Sequence, residues 1–438
     1  MIKTKIQTID LRGIQPTRAE LLQRIPRPIV NIAVASEAAE RLISEVRLEG
    51  ESALKRHAEL FDGVRDASIA VDASEITAAM NGLDPAVRAA LDASIERVRA
   101  ASTAQLPAPT TTSFGPGAQV HQRWQPVERV GLYVPGGKAP LASSVVMNVV
   151  PAQVAGVPSI ALASPAQKEF GGRVHPTILA AAGLLGIDEV YAMGGASAIG
   201  ALAYGVPSLG LLPVDVVTGP GNIYVAAAKR LVRGVVGIDS EAGTTEILVI
   251  ADGAANPRFV AADLISQAEH DEAAASVLVT DSAEFAELVA RELDELAAVT
   301  ANSARVTEAL GGQQSAIVLV DDMHAAARFS NAYGPEHLEI QTADNEAVLS
   351  LISTAGAIFL GPFSPVSLGD YLAGSNHVLP TGGQARFSSG LGAYTFLRPQ
   401  QVVEYGEAAL GDVAENVVAL SGAEELPAHG EAVTVRFS

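Results

Sequence analysis

The residues able to do chemistry fall at a few places in the chain. In NPRFVAADLISQAEH, Asn256 can cap a helix with Pro257 in its first turn. Gln267 and His270, three apart, then share one helix face near its C-terminal end. An amide oxygen and an imidazole on one face can grip a cation. A helix-end His can equally do no more than interact with the last carbonyls. In NAYGPEHLEI, Glu336 and His337 follow a Gly-Pro turn that stops the preceding helix and presents both side chains. A His near neutral pKa is a natural general base and a neighbouring carboxylate can activate water, although Glu-His at a turn is also ordinary solvated surface. In GDYLAGSNHVLPTGG, Asp370 and His377 are seven apart in an aperiodic loop. Glycines at 369 and 374 let backbone approach a ligand closely. Carboxylate oxygen with imidazole nitrogen suits Zn²⁺, and an Asp-turn with a loop His is the plain alternative. His429, in LPAHGEAV, is alone and by default a surface residue.

Three glycine turns could face an anion. VTGPGNIY (217–224) follows a strand and opens a helix, so free backbone N–H groups there could meet a phosphate. It reads G-x-G-x-x-Y rather than the dinucleotide fingerprint, AMGGASAIG (192–200) is another Gly-rich strand–helix turn without the fingerprint, and both serve equally as tight turns. VPGGKAP (134–140) has Lys138 beside two glycines but lacks the G-K-[ST] step of a phosphate loop.

The elements that must hold these residues follow from composition and period. The chain has 438 residues and a formal net charge of −20, with 48% hydrophobic and 18% charged residues. At roughly 150 residues per domain that gives about two or three folded domains. The charge excludes a nucleic-acid backbone binder and an anionic membrane face. Cysteine is absent, which excludes disulfides, thiolate metal sites and a Cys nucleophile. The N-terminal MIKTKIQTIDLRG has no apolar signal core, and the apolar run 145–164 is broken by Asn148, Pro151, Gln153, Gly156 and Pro158. A cytoplasmic protein without a membrane span is expected.

Residues 37–62 and 84–102 repeat apolar positions every three or four residues, and Asp84-Pro85 opens the second helix. The stretch 107–117 reads as a loop or linker. Short apolar runs then alternate with Ala-rich helical segments. GLYVP, SIALAS, EVYAM and VDVVTG make one series, and EILVIAD, ASVLVTD and IVLVD a second. Two open parallel α/β layers are expected, each with ligand loops at the carboxyl ends of its strands. Residues 360–395 are rich in Gly, Ser and Pro with little periodicity, as functional loops are. The tail holds a helical GEAALGDVAENVVALSGA and a strand-like AVTVRF. The residues alone support a two-layered α/β enzyme, metal-dependent or nucleotide-binding.

GLYVPGG, SSVVMNVVPAQVAGV, TGPGNIYV, DLISQAEH, YGPEHLEI, GDYLAGSNHVLPTGG and PAHGEAV occur in this order, and as a set they resemble the histidinol dehydrogenase family from about residue 25 onward. The resemblance implies two open, Rossmann-like (aldehyde-dehydrogenase-like) α/β domains with small N-terminal and C-terminal extensions. It places a first domain at 27–128 and 243–388, a second at 129–242, an arm at 1–26 and a dimerisation extension at 389–438. It implies oxidation of L-histidinol through L-histidinal to L-histidine, the last two steps of histidine biosynthesis, with two NAD⁺ and one Zn²⁺ per site. It makes Gln267, His270, Asp370 and His429 the zinc ligands, with the ligand near the C-terminus supplied by the partner of an intertwined homodimer. Glu336 and His337 match the acid–base pair. His377, Glu424 and Thr245 match substrate contacts, joined by the zinc ligands and His337. Tyr133, Ser197 and Asn222 match positions that contact NAD.

Three residues depart from the family pattern: Ser197 where Gln is common, Thr244 where Pro is frequent, and Gly334 where Ala is usual. The first bears on the cofactor contact and the second on the turn before Thr245. Other functions compatible with the same residues are a zinc hydrolase with Glu336 as base, a non-catalytic ligand-binding paralogue, and a dehydrogenase of another amino alcohol on the same scaffold.

Overall fold

The computed structural model describes residues 4–24, 26–27, 32–65, 68–136, 139–241 and 243–438. Lys138 of VPGGKAP lies outside them. In chain order the strands are β1 (Gln7–Asp10), β2 (Thr110–Gly115), β3 (Ala118–Pro126), β4 (Arg129–Tyr133), β5 (Ser159–Ser164), β6 (Val190–Ala192), β7 (Val216–Thr218), β8 (Gly237–Ile238), β9 (Glu246–Ala251), β10 (Ala275–Thr280), β11 (Ala316–Leu319), β12 (His337–Gln341), β13 (Ala357–Leu360) and β14 (Leu397–Tyr405).

Both series of βα units close into parallel sheets, as their pattern predicts. One is ordered β1-β11-β10-β9-β12-β13 and the other β6-β5-β4-β7-β8. All pairs in both are parallel. Residues 247–251 of β9 have no exposed surface, which is why the strand reads as a continuous apolar run: helices cover both faces. The apolar stretch around Val145 folds as a buried core helix, Ala142–Ala155. Its Asn148 is satisfied inside, donating to the Ser144 carbonyl at 2.7 Å and accepting from the Thr218 hydroxyl at 2.7 Å. Among the described residues no helix is long and apolar enough to cross a membrane.

Two stretches differ from their expected form. Thr110–Gly115, read as linker, is a strand of a small antiparallel sheet β14-β3-β2; it is almost wholly exposed, so no apolar alternation marked it. The tail AVTVRF is helical rather than extended, because Leu426-Pro427 starts the helix Pro427–Thr434 and a 3₁₀ turn continues it through Phe437. The domain division above grouped 27–128 with 243–388. By packing, helices between residues 32 and 104 share a core with the other sheet: Ala39, Ile43, Leu54, Ile76 and Val98 lie with Leu132, Ile199 and Val225. The β9–β13 sheet has its own cores on its two faces.

The loop TGPGN is held from within. Lys229 and Asp239, 1% and 3% exposed, form a buried ion pair. Lys229 Nζ also donates to the Gly219 carbonyl at 2.9 Å, and Asp239 accepts from the Gly219 N–H at 2.9 Å. Gly219 has φ +119, and a Cβ there would collide with the Tyr133 carbonyl. Lys229→Met leaves Asp239 buried and unpaired and is expected to destabilise the fold by about 3–5 kcal/mol in urea unfolding. A loss below about 1 kcal/mol would show the pair to be solvated.

Candidate active site

The cleft lies between opposite edges of the two sheets. The second sheet contributes its carboxyl ends: Tyr133 closes β4, Gly194 and Gly195 follow β6, and Pro220 to Asn222 follow β7. The first sheet contributes its amino ends. Thr245 and Glu246 stand where β9 begins, and Glu336 and His337 where β12 begins. The expectation of ligand loops at the carboxyl ends is therefore corrected for this sheet. The helix Pro257–Ala268 runs antiparallel to the strands, so its C-terminal end, with Gln267 and His270, returns to their amino edge. The cleft has a volume of about 2110 Å³.

Inside it the side chains are ordered by hydrogen bonds. Gln267 Nε2 donates to Thr245 Oγ1 at 2.7 Å, and Thr245 Oγ1 donates to Glu336 Oε2 at 2.7 Å. The Glu246 N–H donates to the same carboxyl oxygen at 2.9 Å. This fixes the Gln267 amide: its nitrogen is engaged and its Oε1 is left buried with no hydrogen-bond partner among the described residues. His337 Nδ1 faces the Glu246 carbonyl at 3.0 Å, so it carries the proton. Its Nε2 is then an unprotonated acceptor, buried without a partner among the described residues. Burial pushes the His337 pKa down, so the ring is neutral. Burial pushes Glu336 up to about 8, against the pull of Thr245 and the Glu246 N–H.

Glu246 holds both members of this dyad by its backbone, and its own carboxyl is anchored in turn. It pairs with Arg27 at 2.8 Å, accepts from Tyr333 Oη at 3.3 Å and from the Gly382 N–H at 3.1 Å. The Arg27 guanidinium lies 4.3 Å over the Tyr333 ring and donates to the Tyr333 carbonyl. Burial pushes Glu246 up to about 7 while Arg27 pulls it down. Sequence inspection missed Glu246, Arg27 and Tyr333. The one signal was a Glu opening an otherwise apolar strand.

The other expected site residues divide. His270, Asp370 and His377 line the cleft with Glu336 and His337. His377 is locked: Nδ1 donates to the Asp370 carbonyl at 3.1 Å, and Nε2 accepts from the Ser144 hydroxyl at 2.9 Å. Glu424 and His429 do not reach the cleft of their own chain. They are exposed, Glu424 at the end of the helix Glu407–Ala423 and His429 in Pro427–Thr434. Among the described residues no three His, Cys, Asp or Glu side chains gather as a metal cage.

The residues matched to NAD positions sit on the opposite wall. The Tyr133 hydroxyl oxygen accepts from the Gly195 N–H at 3.2 Å. Asn222 Oδ1 caps its helix, accepting from the N–H groups of Tyr224 and Val225 at 3.0 and 3.2 Å. That occupies donors that had read as free to bind an anion. Ser197 Oγ donates to His57 Nδ1 at 2.8 Å, and His57 Nε2 donates to Glu45 at 2.8 Å. Gly334, a departure from the family pattern, sits at φ +62 as the helix C-cap before Pro335, a conformation where Gly is at no cost and Ala is strained.

The comparisons with known proteins agree along the whole chain. A family model described as histidinol dehydrogenase matches residues 25–437. The chain is 70% identical over 432 residues to the histidinol dehydrogenase of Leifsonia xyli subsp. xyli, covering 99% of each. It is 57% identical over 440 residues to that of Mycolicibacterium smegmatis, covering 100% of this chain and 99% of the relative. Among solved structures, histidinol dehydrogenase from Elizabethkingia anophelis superposes with a TM-score of 0.93 at 33% identity, covering 100% of this chain and 99% of that one. The chain belongs to the histidinol dehydrogenase family.

Proposed function

We propose that this chain oxidises L-histidinol to L-histidine through L-histidinal at the 336–337 dyad, with NAD⁺ and one Zn²⁺ per site, in a homodimer whose C-terminal extensions complete each other's clefts. The observation that carries this is the ordered chain Gln267–Thr245–Glu336 beside a neutral His337 whose Nε2 has no partner.

The donor set fits a divalent cation. Gln267 Oε1 is a buried carbonyl oxygen that needs a positive partner, and His270 and Asp370 line the same cleft. Imidazole, carboxylate and amide oxygen suit Zn²⁺. These three leave the set one donor short of four. His429, exposed on an extension with apolar surface at Leu420 and Val435, is the residue we assign to the partner's cleft. When bound, the ion supplies orientation of the substrate's imidazole and amine, and NAD⁺ takes up hydride.

The chain's own residues do the rest. His337 Nε2 accepts the alcohol proton, and its neutrality makes it a base at physiological pH. The chain has no cysteine, so no thiol can add to the aldehyde and water must be the nucleophile. Glu336 receives the proton of that water, and His337 serves again when the hydrate is oxidised. Thr245 orients the Glu336 carboxyl by one short hydrogen bond.

Thr245→Val cuts both bonds of that chain while keeping side-chain volume. A hydrogen bond to a charged group contributes about 1.5–3 kcal/mol, so aldehyde oxidation is expected to fall about 10- to 100-fold. Equal rates in variant and parent, measured on histidinal, would remove Thr245 and Glu336 from the scheme.

A further inference from the structure

Beneath the dyad, on the same face of β12, lies a polar pair that no step above uses. Side chains alternate along a strand, so His337, Glu339 and Gln341 point to one side, toward the helix Pro257–Ala268. Asp263, one turn before Gln267 on that helix, meets Glu339 there. Glu339 is 0% exposed and Asp263 9%. Gln341 Nε2 bridges them, donating to Glu339 Oε1 at 2.9 Å and to Asp263 Oδ2 at 3.4 Å.

The surroundings are apolar. β9 and β13 present Val249 and Phe359 in register with Glu339. Ile247, Ala251, Leu264 and Val366 belong to the same apolar core, and the helix Ala283–Val299 turns Phe285, Val289 and Leu293 into it. The charged groups of the packed elements are engaged elsewhere: Arg258 pairs with Glu292 at 3.0 Å, Arg305 with Glu272 at 3.8 Å, Arg291 donates to the Glu287 carbonyl at 3.3 Å, and His337, His270, Glu269 and Asp370 line the cleft. Neither carboxyl has an ion-pair partner among the described residues, and Glu339 Oε2 is buried with no donor in reach. Two carboxylates in such a place repel by several kcal/mol. The chemistry that satisfies the orphaned oxygen is a proton of its own, donated to Asp263.

We infer that Glu339 and Asp263 share one proton, and that this O–H···O⁻ bond is the clamp that keeps the Gln267 end of the helix in register with the Glu336–His337 end of β12. Glu339 and Asp263 are positioning residues. Loss of the proton sets two anions against each other between the elements that carry the site, so Gln267 parts from Thr245 and the dyad loses its order.

Burial and the neighbouring Asp263 both push Glu339 upward, so the clamp is closed at neutral pH and opens on the alkaline side. An acid raised on folding stabilises fully below its unfolded pKa, and that stability is lost as pH rises through the folded value. Activity and melting temperature should therefore both fall on the alkaline limb.

Three measurements on the full-length enzyme test this. The infrared difference spectrum of the wild type between neutral and alkaline pH should show loss of a protonated-carboxyl C=O band, and Glu339→Gln should lack it. Glu339→Gln donates N–H to Asp263 without a titratable proton, so it should keep neutral activity and lose the alkaline limb, where the wild-type kcat falls about tenfold per pH unit. Asp263→Asn removes the second anion and its amide can donate to ionised Glu339, so this variant too should lose the alkaline limb. Absence of the infrared band overturns the shared proton. A band present with an unchanged limb in Glu339→Gln overturns the clamp. Neither outcome touches the assignment of the dyad, which stands or falls with variants at 336 and 337.

Discussion

His337→Asn is expected to lower both oxidations by about 10²- to 10⁴-fold, the range for loss of a general base. The Asn amide can still donate to the Glu246 carbonyl that His337 Nδ1 faces at 3.0 Å, so the fold of the site is kept. What is lost is Nε2, the buried acceptor with no other partner. Both steps need a proton taken from an oxygen as hydride leaves, so both suffer. Glu336→Gln is expected to lower histidinal oxidation by a similar factor and histidinol oxidation by about tenfold or less. Only the second step adds water. The pH dependence separates them further. Burial raises Glu336 to about 8, with the Asp370 charge adding to it, and a cation held at the proposed site would pull it back down. Histidinal oxidation should thus rise with pH on a limb at or below that value, and Glu336→Gln should flatten it. Equal losses in the two half-reactions, measured separately with histidinol and histidinal, would contradict the division of labour.

His429→Ala is expected to abolish activity although the residue is exposed and outside the cleft of its own chain. His270→Ala is expected to do the same from within the cleft. The mixture should recover. In a mixed pair of the proposed homodimer, the cleft of the His429→Ala chain is intact and would meet the intact tail of the other. Half of randomly exchanged dimers are mixed and one of two sites in each is whole, so roughly a quarter of wild-type activity should return. No recovery in dimers shown to be mixed would place every ligand on one chain.

Much of this was legible in the residues. The alternation of short apolar runs with Ala-rich segments gave both parallel sheets, and Asn256-Pro257 gave the start of the helix that carries Gln267. What periodicity could not give was which edge of each sheet meets the other. The rule that ligands sit at carboxyl ends describes one open sheet. Here the 336–337 dyad uses an amino edge because the second sheet faces it. The strand Thr110–Gly115 was hidden because exposure leaves no alternation to read. Arg27 and Glu246 stand 219 positions apart, and Asp263 meets Glu339 only through tertiary packing, so no local pattern announces either pair. The helices of the first hundred residues were recognisable as helices, yet their apolar faces do not say which sheet they cover.

The most direct test of the central claim is the NADH formed per histidinol consumed, measured with and without a chelator. Two successive oxidations at one metal-dependent site predict a yield of about two, lost on metal removal and restored by Zn²⁺. A yield of about one, no NADH at all, or a yield indifferent to the chelator would contradict it.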